Sequence, residues 1–308
     1  MPRAAHIVIT DSGLGGLSIC ARLEQALHLA GRSRSVRLTY VNAWPFEDRG
    51  YNDLPDDAER VRVFGAALAR MAQMEPDRIL VACNTLSILY PRTAFSRNPP
   101  APVHGVIDAG VDLFAERLAG EPASSNALIG TKTTIESGEH GARLVRRGVD
   151  PRRLAAISCH GLAGAIERDV DGARTAELIG ECAARIAQAA PPGGTLWLGL
   201  CCTHYGYVAG RIVDAVAGLT PRPVLALDPN ARLISALFAD GSFREAAGLL
   251  DAPADGSAAP AGGSVSVELV SKVALSGTAR AGIARLVDPI SPVTAGALLS
   301  YALVPDLF

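Results

Sequence analysis

Leu80-Val81-Ala82-Cys83-Asn84-Thr85 is a short apolar run that stops on a cysteine and passes into two polar residues. Far downstream, Trp197-Leu198-Gly199-Leu200-Cys201-Cys202-Thr203-His204-Tyr205 does the same. Apolar runs this short, closed by polar residues, have the length of buried strands. Working outward, similar runs lie at His6–Thr10, Val36–Val41, Arg78–Ala82, Val103–Ile107, Asn126–Ile129, Leu154–Cys159, Thr195–Leu200 and Val224–Leu227. Between them are helical patterns at Leu17–Leu29, Asp57–Met71, Val111–Leu118, Gly161–Val170 and Arg174–Ala190. In Asp57–Met71 the helical period puts Ala58, Val61, Phe64, Ala67, Leu68 and Met71 on one face. This alternation predicts parallel sheets covered by helices, an α/β fold. It also places active residues on the loops that leave the carboxyl ends of strands.

The chain has 308 residues, 49% of them hydrophobic, enough for one large domain or two ordinary ones. A net charge of −2 without any block of like charges argues against a nucleic-acid partner. No apolar run approaches the roughly 20 residues of a membrane helix. The stretch Met1-Pro2-Arg3-Ala4-Ala5-His6 lacks the apolar segment of a signal peptide. A cytoplasmic protein is therefore expected, with free thiols at Cys20, Cys83, Cys159, Cys182, Cys201 and Cys202. Pro99-Pro100-Ala101-Pro102 reads as a crossing between two domains. Residues Asp251–Gly263 (DAPADGSAAPAGG) read as a flexible excursion, after which Val265–Leu275 returns to the body as a strand.

A third junction joins the two cysteine corners. Ile9-Thr10-Asp11-Ser12-Gly13-Leu14-Gly15-Gly16 ends a strand on a carboxylate and opens a helix through a glycine-rich turn. Such a turn either gathers N–H groups around an anion or is simply a tight turn with a cap. Its spacing fits neither a dinucleotide fingerprint nor a phosphate loop. Two similar strand-end cysteines, more than a hundred residues apart, look like equivalent corners of two α/β halves facing one cleft. Stereoinversion at a carbon wants this arrangement, because a proton must leave one face and another must arrive on the opposite face. A free thiol titrates near about 8.5, close enough to neutrality to serve as acid or base. A neighbouring histidine, amide donors or a helix N-terminus are expected to lower that value. Asp11 and His204 are the candidate partners of the thiols.

Five segments in order carry a resemblance. Asp11-Ser12-Gly13-Leu14-Gly15-Gly16-Leu17, Ala82-Cys83-Asn84-Thr85, Gly105-Val106-Ile107, Ile129-Gly130-Thr131-Lys132-Thr133-Thr134-Ile135 with Ser137-Gly138, and Cys202-Thr203-His204-Tyr205 together resemble the aspartate/glutamate racemase family. The glutamate-specific members are the most similar, over about residues 6 to 230. The resemblance implies two flavodoxin-like domains related by pseudo-two-fold symmetry, with the active site in the cleft between them. It implies a first domain of residues 1–101 plus 210–308 and a second of 102–209. It further implies racemisation of L-glutamate to D-glutamate for peptidoglycan, without pyridoxal phosphate or any other cofactor, and without metal. Cys83 and Cys202 match the family's catalytic cysteines, with Asp11, His204 and Glu167 beside them. Ser12, Gly50, Tyr51, Asn84, Thr85, Thr131 and Thr203 match its substrate-holding positions. Glu167 follows Cys159 by the family's interval.

The chain departs from the pattern in the loop Asn42-Ala43-Trp44-Pro45-Phe46-Glu47-Asp48-Arg49-Gly50-Tyr51-Asn52, where the family reads Pro-Tyr-Gly. Counting back from Cys83 puts Tyr51 at the tyrosine position; counting forward from Tyr40 puts Arg49 there. The family's proline after Cys159 is also absent. The implied partner is a small amino acid, with no nucleic acid and no membrane; oligomeric state is not set by one sequence, a homodimer being one assembly it allows. Three other functions stay open at this point. One is a racemase of aspartate or a related amino acid. Another is a Cys–His hydrolase or decarboxylase on the same scaffold, and the third is a binding protein whose active site has been retired. A zinc site of Cys159, His160, Cys201, Cys202 and His204 lacks the usual ligand spacing.

Overall fold

In the stretch 56–72 the Asp56 side chain accepts from the Glu59 N–H at 2.8 Å and opens a helix. Its buried face is Val63, Phe64, Ala67, Leu68 and Met71. Ala58 is exposed and Val61 only half-buried, so the apolar stripe engages the core one turn later than the period alone predicts. The computed structural model describes residues 3–31, 33–249 and 263–308. The expected excursion at 251–263 lies, except for Gly263, outside the described residues.

The first part of the chain runs β1 (Ala5–Asp11), α1 (Leu17–Leu29), β2 (Val36–Asn42), α2 (Asp57–Ala72), β3 (Arg78–Val81), α3 (Asn84–Leu89) and β4 (Val103–Gly105). Next come α4 (Ile107–Gly120), β5 (Ser125–Gly130), α5 (Lys132–Glu136), α6 (Glu139–Arg146), β6 (Leu154–Ser158), α7 (Leu162–Arg168) and α8 (Ala173–Ala189). The last part holds β7 (Leu196–Cys201), α9 (Ala209–Ala217), β8 (Val224–Leu227), α10 (Asn230–Ala239), α11 (Gly241–Ala246), β9 (Val265–Ser271), α12 (Gly277–Val287), α13 (Pro292–Leu299) and β10 (Ala302–Leu303).

Two parallel sheets result, one ordered β10-β9-β2-β1-β3-β4 and the other β6-β5-β7-β8. The run β2-β1-β3-β4 of the first corresponds, strand for strand, to β6-β5-β7-β8 of the second. Cys83 follows β3 and Cys202 follows β7, so the two cysteines hold the same topological position in two halves of one plan. Both sheets are covered on both faces. Along β1, Ile7 and Ile9 pack into the layer with α1, while Val8 packs on the opposite side with α2. Along β7, Leu196, Leu198 and Leu200 face α8 and α9, while Trp197 and Cys201 face α4. Burial on both faces is why these strands read as continuous apolar runs. Each such side chain contributes about 1.5–3 kcal/mol over its exposed state.

Strand pairing moves both crossings between the halves. Val103 pairs with Ile79, so β4 belongs to the first sheet and Pro99–Pro102 leads into its edge strand; the chain crosses after it, through α4. Val224 pairs with Leu196, so β8 belongs to the second sheet rather than to the segment 210–308. The physical reason is the same at both places: an edge position beside β3 or β7 supplies backbone partners that a linker would lack. The strand expected after residue 264 spans Val265–Ser271 and pairs with β2. Among the described residues, no helix is long and apolar enough to cross a membrane.

Candidate active site

Register brings the working ends of the strands level. Asp11 pairs with Asn42 and Thr10 with Val81 in the first sheet; Gly130 pairs with Ser158 and Cys201 in the second. The two sets of carboxyl ends border one cleft of about 280 Å³. Asp11, Ser12, Gly50, Tyr51, Cys83, Asn84, Thr85, Thr131, Glu167, Cys202, Thr203 and His204 all line it, which is every residue the sequence put at the site.

Around Cys83 the chain leaves β3 and starts α3, with the cysteine at the N-cap. Its sulfur lies 3.2 Å from the Ser12 hydroxyl. Burial pushes the Cys83 thiol well up, and the Asp11 carboxylate adds to the rise; Ser12 and local backbone N–H groups oppose it without prevailing. The expected lowering by amide donors is thus corrected at this position. Asp11 itself is buried, and burial raises its pKa against the opposing pull of His204 and Thr203. The Thr203 hydroxyl donates to Asp11 Oδ2 at 2.7 Å across the cleft.

Around Cys202 the charge is of the other sign. Its sulfur is 3.9 Å from His204 Nδ1, and His204 Nε2 is 2.6 Å from Glu167 Oε2. Burial alone would lower the His204 pKa, but Cys202 and Glu167 outweigh it and the net shift is well upward. These partners favour the imidazolium form of the ring. Glu167 also accepts from the Leu14 N–H at 2.8 Å.

That contact settles the glycine-rich turn. A Cβ on Gly13 would sit 2.3 Å from Glu167 Oε2, and one on Gly15 would sit 2.4 Å from Thr203 Oγ1 and 2.5 Å from His204 Nδ1. The turn does meet an anion, and the protein supplies it. Tyr40 and Tyr207 fix the turn from behind, donating to the carbonyls of Gly13 at 2.6 Å and Leu14 at 3.0 Å.

Two polar atoms face this environment without partners. Tyr51 is buried, its ring edge-on to Phe64, and its hydroxyl makes no hydrogen bond among the described residues; the same holds for Asn84 Nδ2. A buried orphan donor costs stability unless a ligand pairs with it. Burial, with Cys83 adding, raises the Tyr51 pKa, so its hydroxyl keeps its proton. Asn84 Oδ1 is 3.0 Å from His140 Nε2. Burial holds His140 down to about 4, so it is a neutral ring. Donating from Nε2, it fixes the amide with Nδ2 left over. Thr85 is held in a triangle of hydroxyls, 3.0 Å from Thr131 and 2.9 Å from Thr134.

A family model described as Asp/Glu/Hydantoin racemase matches residues 8–237. The chain belongs to this racemase family. A glutamate racemase of Pseudomonas putida (strain W619) is 28% identical over 258 residues, covering 80% of this chain and 88% of its own. One from Granulibacter bethesdensis is 30% identical over 235 residues, covering 73% and 74%. The crystal structure of glutamate racemase from Campylobacter jejuni superimposes with a TM-score of 0.66 at 19% identity, covering 91% of this chain and 98% of that one. That from Thermus thermophilus, in complex with β-chloro-D-alanine, gives 0.60 at 25% identity, covering 92% and 93%.

In this racemase the ambiguity in the loop after β2 resolves geometrically. Gly50 and Tyr51 line the cleft, with Gly50 packed under the Trp44 ring. Arg49 does not line it: the guanidinium stacks on Phe46 at 5.0 Å and pairs with Asp48 at 3.7 Å on the surface. The expectation of free thiols changes at two cysteines. Cys159, at the cleft, is joined to Cys182 by a disulfide, because α8 packs on β6 and brings the two Cα atoms to 5.5 Å. Cys201 stays a free thiol, fully buried beside Cys202. The zinc alternative loses Cys159 to the disulfide, and among the described residues no group of three His, Cys, Asp or Glu is placed to hold a metal. His140 and Thr134, which hold Asn84 and Thr85, are the supporting residues that the sequence did not single out.

Proposed function

We propose that this chain interconverts L- and D-glutamate by a two-thiol, two-base reaction. The observation that carries the reading is the placement of Cys83 and Cys202 at equivalent strand ends, across one cleft, with no role for the second thiol in a Cys–His hydrolase. One sulfur, as thiolate, takes the proton from Cα; the electron pair left on carbon is then protonated from the opposite face by the other sulfur's S–H. The first cysteine ends as thiol and the second as thiolate, so the pair is reversed for the return reaction. Tyr51 and the Asn84 amide donate to the substrate's α-carboxylate, where negative charge grows as the Cα proton leaves. Thr85, Thr131 and Ser12 complete the polar wall.

The two sheets act as lobes, one built on the six-stranded sheet and one on the four-stranded sheet, whose approach excludes water from the carbanion. The product D-glutamate suits the supply of peptidoglycan precursors, a cytoplasmic task. The test is direct assay of purified protein on both enantiomers of glutamate and of aspartate by chiral chromatography. Interconversion of glutamate is expected; aspartate alone would change the substrate, and inertness toward all four would overturn the reading.

A further inference from the structure

Gly50 and Tyr51 reach the cleft on a loop with little structure of its own. Apart from an isolated bridge between Phe46 and Arg49, residues 43–50 lie in no helix or strand, so outside contacts must set their shape. Those contacts come from the carboxyl end of β9. Ser271, its last residue, is level with Asn42, whose amide donates to the Ser271 hydroxyl at 3.0 Å. Asn42 Oδ1 in turn accepts from the Trp44 N–H at 3.1 Å. Further along, the Ala274 N–H donates to Glu47 Oε1 at 3.4 Å. Between these two ties stands Lys272, half-buried. Its ammonium lies 5.5 Å from the centre of the Phe46 ring and 4.6 Å from that of Phe308, and donates to the Phe308 main-chain oxygen at 2.7 Å. Phe46 passes this anchorage on to the cleft. Its carbonyl accepts from Trp44 Nε1 at 2.7 Å, and the Trp44 ring covers Gly50, where an added Cβ would come within 2.7 Å of it. Phe46 and Phe308 also pack on the apolar cluster that contains Tyr51.

We propose that Lys272 is a positioning residue: its ammonium, shared by the Phe46 and Phe308 rings, sets the loop that presents Gly50 and Tyr51 to the substrate. The proposal rests on the racemase reading for what that loop binds. Lys272 is not among the described residues that line the cleft, so it acts through the loop. A cation over an aromatic face is attracted by the ring's negative quadrupole, more strongly where water is partly excluded. Arg49 also lies over Phe46, but its guanidinium is exposed and shared with Asp48, so its removal should matter less. Without Lys272 a smaller fraction of the free protein holds a competent loop, which lowers apparent affinity by that fraction. Bound substrate restores the loop, so the chemical step is spared.

Two readouts on K272Q, K272R, F46L and the double variant K272Q/F46L test this. The chain has two tryptophans, Trp44 and the buried Trp197, so in a W197F background acrylamide quenching of fluorescence reads the loop without any reaction. Chiral turnover of glutamate reads the site. K272Q should raise the Trp44 quenching constant about twofold and KM about fivefold to twentyfold, with kcat changed less than about threefold. K272R, which keeps a cation over the rings, should restore most of both. F46L should repeat the K272Q pattern, and the double variant should add little, because each change removes the same contact. Unchanged quenching and KM in K272Q, a loss confined to kcat, additive losses in the double variant, or a K272R no better than K272Q would overturn the assignment. If wild type racemises nothing while K272Q frees Trp44 and K272R restores it, the function fails and the loop anchor stands.

Discussion

The two cysteine corners share a topology and differ in charge. Cys83 sits beside a buried carboxylate, Asp11, which together with burial keeps the thiol protonated. Cys202 sits beside the His204 imidazolium, itself anchored by Glu167, which stabilises negative charge when it develops on that sulfur. A repeated fold thus supplies two equivalent positions, and its neighbours set one beside a buried carboxylate and the other beside the His204–Glu167 pair. The corners are also tied to each other. Thr203, next to Cys202, donates to Asp11, and Glu167 accepts from the turn that carries Ser12 to the Cys83 sulfur.

The largest expected effect comes from removing either sulfur. Cys83→Ala and Cys202→Ala should each lower kcat/KM for racemisation by roughly a thousandfold or more, since each removes an obligatory proton carrier. Near-normal turnover in one variant would reduce the comparison to a single working corner. Changing the charge partners should cost about tenfold to a hundredfold and shift the pH profile in opposite directions. In Asp11→Asn, Cys83 loses a charge that holds its pKa up, so the alkaline limb of kcat/KM should move to lower pH. In His204→Asn, Cys202 loses a cation that favours its thiolate, so the acid limb should move to higher pH. Shifts of the same sign in both variants would remove the asymmetry.

His140 supports Asn84 as a neutral ring and is a positioning residue. His140→Phe should raise KM about tenfold, the cost of a misplaced donor, with no movement of either pH limb above pH 5 or so because the ring titrates near about 4. A shifted limb would mean that His140 takes part in proton transfer. The smallest effect is expected for Cys201→Ala, buried beside the reacting cysteine but turned into the α4 layer. Activity should stay within about twofold, with about 1 kcal/mol lost in denaturant unfolding.

Much of this site was legible because it is built from strand ends. Cys83, Cys202 and Asp11 each close a short apolar run, and buried parallel strands write such runs plainly. Glu167 was reachable by its interval from Cys159. His140 was not: it lies 56 residues after Asn84 and meets it only because α6 packs behind the cleft. The Cys159–Cys182 pairing likewise depends on the docking of α8 against β6, which a helical period does not encode. The crossings between the halves were misplaced because prolines mark an irregular backbone without saying whether an edge strand follows. Between Arg49 and Tyr51 the sequence offered two counts, and only the loop geometry, with the Arg49 guanidinium turned onto Phe46, separates them.

The most direct test of two bases on opposite faces is a short reaction of L-glutamate in D₂O, stopped at a few per cent conversion. Mass spectrometry of the separated enantiomers would then read deuterium at Cα. The account predicts deuterium in the D-glutamate formed and almost none in the L-glutamate remaining, because the sulfur that takes the proton is not the one that delivers its replacement. Deuterium entering substrate as fast as product, or a product that keeps its original proton, would contradict it.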